Sequence, residues 1–289
     1  MKILVIGDLH GQKPNIYYDD FEAIIAPGDF CSDEAGELIF KALRINIKNK
    51  NQSIQWFDLI DEDQARRMVI DSLQTGRKTL KFLNTFNVPV YIVPGNWDWT
   101  PKEKSKWDFL KNDHFSDLIT GLDNIHNVYH KSLSNKSYTF IGHGITPGPE
   151  IPQHREDLKN YSKDQIEMLT NKYIKTIEKL RNLFHNASKP VIFISHNVPF
   201  NTPLDIIQNK KSPKHGYHFG SLITKNLVNE FQPLLCIGGH MHEHFGLCKL
   251  NSTLVFNSGF GSNVNILVKI EGNHVEKITF HGGDPSFYP

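Results

Sequence analysis

Short apolar runs rich in β-branched residues recur along the chain, at Lys2–Ile6, Ala23–Ala26 and residues 88–93, 137–141, 191–194 and 234–237. Near-continuous hydrophobicity over so few residues marks strands buried on both faces, the signature of α/β folds. Between them the period changes. Residues 162–184 open on Ser162-Lys163-Asp164-Gln165, a spacing that lets two side chains satisfy free helix N–H groups. Ile166, Leu169, Tyr173, Ile177, Leu180 and Phe184 then come at steps of three and four, giving one buried stripe. Residues 62–86 and 221–231 predict further helices. In the C-terminal third, Thr253–Asn257 and residues 263–270 and 275–280 alternate apolar and polar between Gly and Asn turns, which predicts antiparallel strands added to the sheets. No repeat, low-complexity stretch or linker divides residues 1–289, so one domain is expected. Residues 31–56 read poorly as core and predict an insertion or lid, extending to about 75.

Composition narrows the class. The 289 residues carry 32 Lys+Arg against 31 Asp+Glu, a formal charge of +1. That balance argues against a protein built to neutralise many backbone phosphates, so nucleic acid is not the expected partner. A hydrophobic content of 39% suffices for a sizeable core. Three Cys and no C-x-x-C make no disulfide framework. The opening apolar run is too short for a signal-peptide core, and no segment predicts a spanning helix. The expectation is a cytoplasmic protein without a membrane partner.

The residues at the end of each strand carry the chemistry. The first run ends in Gly7-Asp8-Leu9-His10-Gly11, the second in Pro27-Gly28-Asp29, and the third in Pro94-Gly95-Asn96-Trp97-Asp98. Two later runs end in Ser195-His196-Asn197 and Gly238-Gly239-His240-Met241-His242. Ligands of open α/β sheets sit beyond the carboxyl ends of strands, so these residues should converge. Singly, each dipeptide reads as a turn or a surface pair; five strand ends stopping at ligand-type residues beside Gly do not. Asp8, His10, Asp29, Asn96, His196, His240 and His242 form an N/O donor set suited to Mn, Fe, Co, Ni or Zn, and less to Ca or Mg. Seven donors exceed one tetrahedral ion and suit two ions about 3.5–4 Å apart, bridged by a carboxylate and a hydroxide that is placed in line with the leaving oxygen of a phosphoryl group.

The ordered set D-x-H, G-D, G-N-x-[DE], S-H and G-H-x-H resembles the calcineurin-like metallophosphoesterase superfamily over nearly the whole chain. The resemblance implies two mixed β-sheets packed face to face with flanking helices. It implies that Asp8, His10, Asp29 and His242 hold one metal, and that Asp29 bridges to a second completed by Asn96, His196 and His240. Mn is the first expected metal. Residues 142–259 look like a branch of archaeal and bacterial phosphoesterases, through His196-Asn197-Val198-Pro199, His218-Phe219-Gly220-Ser221 and Gly239-His240-Met241-His242-Glu243. The family's third motif usually carries His where this chain has Trp97, and that imidazole is held to protonate the leaving group. Indole donates a hydrogen bond but has no titratable proton at neutral pH, so the proton-transfer step lacks its usual acid. Asp98 is expected to orient its neighbours. His218 and His143 are candidates to line the site, His218 because it precedes a helix start that can meet an anion.

These readings predict a hydrolase of small phosphoesters or nucleotides, with phosphodiesters and activated esters preferred over alkyl monoesters. Two alternatives remain open: a nuclease, which would need a basic groove with stacking aromatics, and a non-enzymatic interaction module, as Trp97 could suggest. Specificity is expected to come from residues 31–56, 146–161 and 199–220.

Overall fold

The computed structural model describes residues 1–49 and 53–288. The chain runs through β1 (Lys2–Ile6), β2 (Ala23–Ala26), α1 (Gly36–Lys48), α2 (Glu62–Asn84), β3 (Val90–Ile92), α3 (His114–Ile119), β4 (Ile125–Asn127), β5 (Ser132–Ser134), β6 (Thr139–His143) and α4 (Arg155–Leu158). It continues through α5 (Lys163–His185), β7 (Val191–Asn197), α6 (Leu222–Phe231), β8 (Leu235–Gly239), β9 (Gly246–Leu250), β10 (Thr253–Asn257), β11 (Asn265–Glu271), β12 (His274–His281) and β13 (Ser286–Tyr288). A six-stranded sheet has the order β12-β11-β1-β2-β3-β4, and a seven-stranded sheet the order β13-β9-β10-β8-β7-β6-β5. Both are mixed. Strands β1 to β4 run parallel in one, and β6, β7, β8 and β10 in the other.

Strand alternation builds the layers. Ile3 and Val5 of β1 point between the sheets with Ala23, Ile25, Phe140, Ile192, Ile194, Leu235 and Ile237, whereas Leu4 and Ile6 point to the other face. There they meet Val69, Leu80 and Leu83 of α2. The outer face of the second sheet, with Ile141, Phe193 and Cys236, is covered by Ile177, Leu180 and Phe184 of α5 and by Leu227 and Val228 of α6. The expected architecture of two facing sheets with flanking helices is what the chain adopts. Between the sheets Tyr91 stacks on Phe140, ring centroids 3.7 Å apart and planes within 10°. Phe140→Ala should therefore cost about 3–5 kcal/mol of stability, measurable as a lowered urea midpoint.

Helix ends follow their local chemistry. Ser162 and Gln165 form the reciprocal cap on α5, at 3.2 and 2.8 Å. Asp61 caps α2 through the Gln64 N–H, and Ser221 caps α6 through that of Thr224. The α5 stripe is fully buried only at Ile177, Leu180 and Phe184, while Ile166, Leu169 and Tyr173 are half-buried. Strand β11 adds antiparallel to β1 and β12 antiparallel to β11, as the alternation predicts. Strand β10 differs. It pairs antiparallel with β9 but parallel with β8, because the hairpin returns it into the gap between them. Residues 31–75 hold α1, a 3-10 turn at Trp56–Leu59 and the first part of α2; residues 50–52 of this expected insertion lie outside the described residues. Ala35, Ala42 and Trp56 share the core of β1 and α2.

Candidate metal centre

The parallel strands of both sheets place their carboxyl ends along one edge. Asp8 and His10 follow β1, Asp29 follows β2, Asn96 and Asp98 follow β3, His196 lies at the end of β7, and His240 and His242 follow β8. Three of these residues, His10, Asp29 and His240, sit at positive φ of 46°, 54° and 66°. Non-glycine residues in that region cost of order 1–3 kcal/mol and persist where surrounding contacts enforce them. The Gly neighbours allow close approach. A Cβ at position 95 would stand 2.0 Å from Asp29 Oδ1, and one at position 239 would stand 2.4 Å from Asp8 Oδ1.

Two overlapping groups of donors result, Asp8, His10, Asp29 and His242 in one and Asp29, His196 and His240 in the other. Within each group the donor atoms lie within 4.8 Å of one another. Asp29 belongs to both: its Oδ2 lies 3.5 Å from His10 Nε2 and 3.5 Å from His196 Nε2. Asn96 Oδ1 adds itself to the second group, 2.8 Å from His196 Nε2. All seven donor residues named from the sequence are thus brought together.

The polar accounting inside this cluster does not close on protein groups alone. Asp8 Oδ1 and Asp29 Oδ2 are buried oxygens with no hydrogen-bond donor. His10 Nε2 and His242 Nε2 face each other at 3.2 Å, and at most one can carry a proton between them. His196 Nδ1 lies 3.0 Å from the Pro27 carbonyl, which accepts its proton and leaves the Nε2 lone pair facing Asn96 Oδ1. His240 Nε2 is fixed likewise by the Pro147 carbonyl at 3.2 Å, leaving Nδ1 free. Acceptors and lone pairs aimed at one another are costly in a dry site unless a cation lies among them. The donor set fits divalent metal ions.

Electrostatics agree. Burial opposes ionisation of Asp29, but His196, His10 and the Trp97 backbone N–H at 2.9 Å outweigh it and hold the carboxyl far below its ordinary range. Burial, and then the His196 ring, push His240 down to about 4, so it is a neutral donor at pH 7. Asp98 stands behind the cluster. It accepts from the backbone N–H groups of Phe30, Cys31 and Gly95 at 2.8, 3.0 and 2.8 Å, stapling the β2 loop to the β3 loop. Burial and the Asp29 charge raise it to about 6.

His218 lies apart from both donor groups. Its Nδ1 is held by buried Asp205 at 2.6 Å, and its Nε2 makes no hydrogen bond with a described residue. The start of α6, where the sequence suggested an anion, receives the carboxylate of Glu150, which accepts from Ser221 Oγ and the Leu222 and Ile223 N–H groups. His143 reaches that same Glu150 at 3.5 Å and His130 at 3.2 Å. Several site residues escaped sequence reading. Asp33 Oδ2 lies 3.5 Å from His10 Nδ1, and Phe260 stacks on His242 with centroids 4.2 Å apart. The Gly259-Phe260-Gly261 run was the available signal for Phe260; the Pro27 and Pro147 carbonyls have no side-chain signature at all.

The fold and donor set define a two-sheet α/β protein with a candidate metal centre at the strand ends. The chain belongs to the calcineurin-like phosphoesterase family, whose model matches residues 1–244. Its fold is similar to that of TT1561 of Thermus thermophilus, at 16% identity and TM-score 0.51, covering 96% of this chain and 97% of that one. It is also similar to the phosphopantetheinyl hydrolase PptH of Mycobacterium tuberculosis, at 12% identity and TM-score 0.50, covering 90% and 89%. A further crystal structure superposes with TM-score 0.60 at 15% identity, covering 96% and 97%. No curated protein sequence matches the chain. Among the described residues no helix is long and apolar enough to cross a membrane.

Proposed function

We propose that this protein hydrolyses small phosphoesters, phosphodiesters and nucleotide-type esters above all, with two divalent transition-metal ions, Mn first among them. The observation that carries the reading is Asp29 Oδ2, buried, without a hydrogen-bond donor and equidistant from two imidazoles of separate donor groups. Asp8, His10, Asp29 and His242 would hold one ion; Asp29, Asn96, His196 and His240 would hold the other. Such ions, when bound, supply Lewis acidity toward a phosphoryl oxygen and make water a nucleophile near neutral pH. Three free, buried cysteines suit a reducing compartment, and we place the protein in the cytoplasm.

The chain's own groups do the positioning. The Pro27 and Pro147 carbonyls set which ring nitrogen of His196 and His240 is offered. Asp98 holds the β2 and β3 loops in register. His218, steadied by Asp205, is assigned to the rim, where its Nε2 can meet a substrate oxygen. Asp33 adds a negative charge on the outer side of the first donor group, its Oδ2 3.5 Å from His10 Nδ1. Asp33→Ala should weaken the affinity of the first site by about tenfold, read by titrating metal into stripped protein.

Trp97 sets the substrate preference. Its backbone N–H serves Asp29, and its indole has no proton to give a departing alkoxide. Leaving groups of low pKa should therefore be favoured. The test is turnover of a series of aryl and alkyl esters by Mn-loaded wild type and Trp97→His. The variant should gain up to about 10²-fold on poor leaving groups and little on nitrophenyl esters. Equal gains across the series would mean that Trp97 does not mark a missing acid, and no turnover of any ester by loaded wild type would overturn the function itself.

A further inference from the structure

Helix α1 carries an apolar strip that begins at the metal centre. Gly36 abuts Trp97, so closely that a Cβ at position 36 would stand 3.2 Å from the indole Cη2. The Trp97 ring lies 6.3 Å from that of His10, centroid to centroid. From Gly36 the same helix face continues through Phe40, Leu43 and Ile47, at steps of four, three and four residues. These three side chains are 56%, 51% and 64% exposed, while the opposite face seats Ala42 in the core. The strip covers about 16 Å of helix. Glu37, Lys41, Arg44 and Lys48 lie on the flank beside it, with a net charge of +2.

An exposed apolar stripe on a helix otherwise anchored in the core needs an occupant. Its continuity with the site names one. We propose that the physiological substrate is an amphiphilic phosphoester, whose phosphoryl head enters the metal centre while an apolar tail lies over Trp97 and along Phe40, Leu43 and Ile47. This deepens the phosphoesterase reading and rests on it. Trp97 in place of an imidazole then has a second consequence, because it extends the strip to the site itself. The net positive charge of that flank attracts an anionic substrate to this side of the molecule.

The probe is a set of 4-nitrophenyl alkyl phosphodiesters from methyl to octyl, used below micelle formation with Mn-loaded protein, so that the leaving group never changes. Burying one methylene strengthens association by up to about fourfold, and a fraction of that on an open helix face accumulates. kcat/KM should rise about 10-fold or more from methyl to octyl, through KM rather than kcat. Phe40→Ser, Leu43→Ser and Ile47→Ser should flatten that dependence, and Ile174→Ser, an exposed apolar site on α5, should leave it as it is. All four positions are exposed, so the variants should keep the wild-type melting temperature. Calorimetric binding of octyl against methyl phosphate reads the tail without turnover. A protein that cleaves no ester but prefers octyl phosphate loses the phosphoesterase reading and keeps the strip; one that cleaves the methyl ester with no chain-length dependence loses the strip and keeps the activity. Binding to anionic vesicles without a preference among monomers, or a dimer that Phe40→Ser dissociates, would reassign α1 to a bilayer or a second copy and overturn the proposal.

Discussion

Stripped by a chelator, the protein should hydrolyse no phosphoester above the buffer rate, and added Mn should restore turnover. The reason lies in the donors rather than in any one contact. Two buried carboxylates and four imidazoles point acceptor atoms at common centres, and no Lys or Arg among the described residues stands between them. Nothing else there can neutralise a phosphoryl oxygen or ionise a water at pH 7. The same linkage predicts a stability change. Each ion held at about 100 times its Kd stabilises the native state by about 2.7 kcal/mol. Two ions should therefore raise the melting temperature by on the order of 10 °C. Elemental analysis of the loaded protein should find two ions per chain. Full activity in the metal-free protein would sink both the donor assignment and the reading of function.

Asp29→Asn should be the most damaging single substitution. Asparagine tolerates the left-handed backbone at φ 54° and can still accept from the Trp97 N–H, so the fold should survive. What it removes is the charge at Oδ2, the one atom shared between the two donor groups. The expected loss in kcat is on the order of 10³-fold, several kcal/mol of transition-state stabilisation. Metal content should fall at both positions. His10→Ala strips one donor from one group and should cost about 10- to 100-fold in affinity there, leaving the other group filled. Wild-type turnover by Asp29→Asn would show that the two groups do not share a carboxylate.

Much of the fold was legible because its strands are short and buried on both faces, so each of β1, β2, β7 and β8 stands out as an apolar run that stops at a turn or a ligand-type residue. The α5 cap was legible for a similar reason: Ser162 and Gln165 serve backbone groups three residues away, and such local chemistry leaves a fixed spacing. Helix α1 was not legible. Its outward Phe40, Leu43 and Ile47 blur the contrast between a buried and a solvated face, and Ala35, which precedes it, makes no side-chain cap. Strands β4, β5 and β13 have three residues each, too few for a period to show. Asp33 was passed over because a carboxylate beside a helix start is ordinary in sequence, and only the fold brings it to His10.

The layer pattern, the capped helices and the types of donor at the strand ends are legible in residue order, because all of these depend on residues within a turn or a strand of one another. Which donors meet is set by the packing of the two sheets. His10 and His242 are 232 positions apart and follow strands of different sheets, yet their ring nitrogens lie 3.2 Å from each other. That distance follows from the packing angle of two twisted sheets and from left-handed backbone at His10, Asp29 and His240. Neither property is written in any local stretch. The tertiary structure alone also turned Trp97 from a missing imidazole into the first residue of an apolar strip, because the ring's neighbour is a glycine 61 positions upstream that leaves room for it.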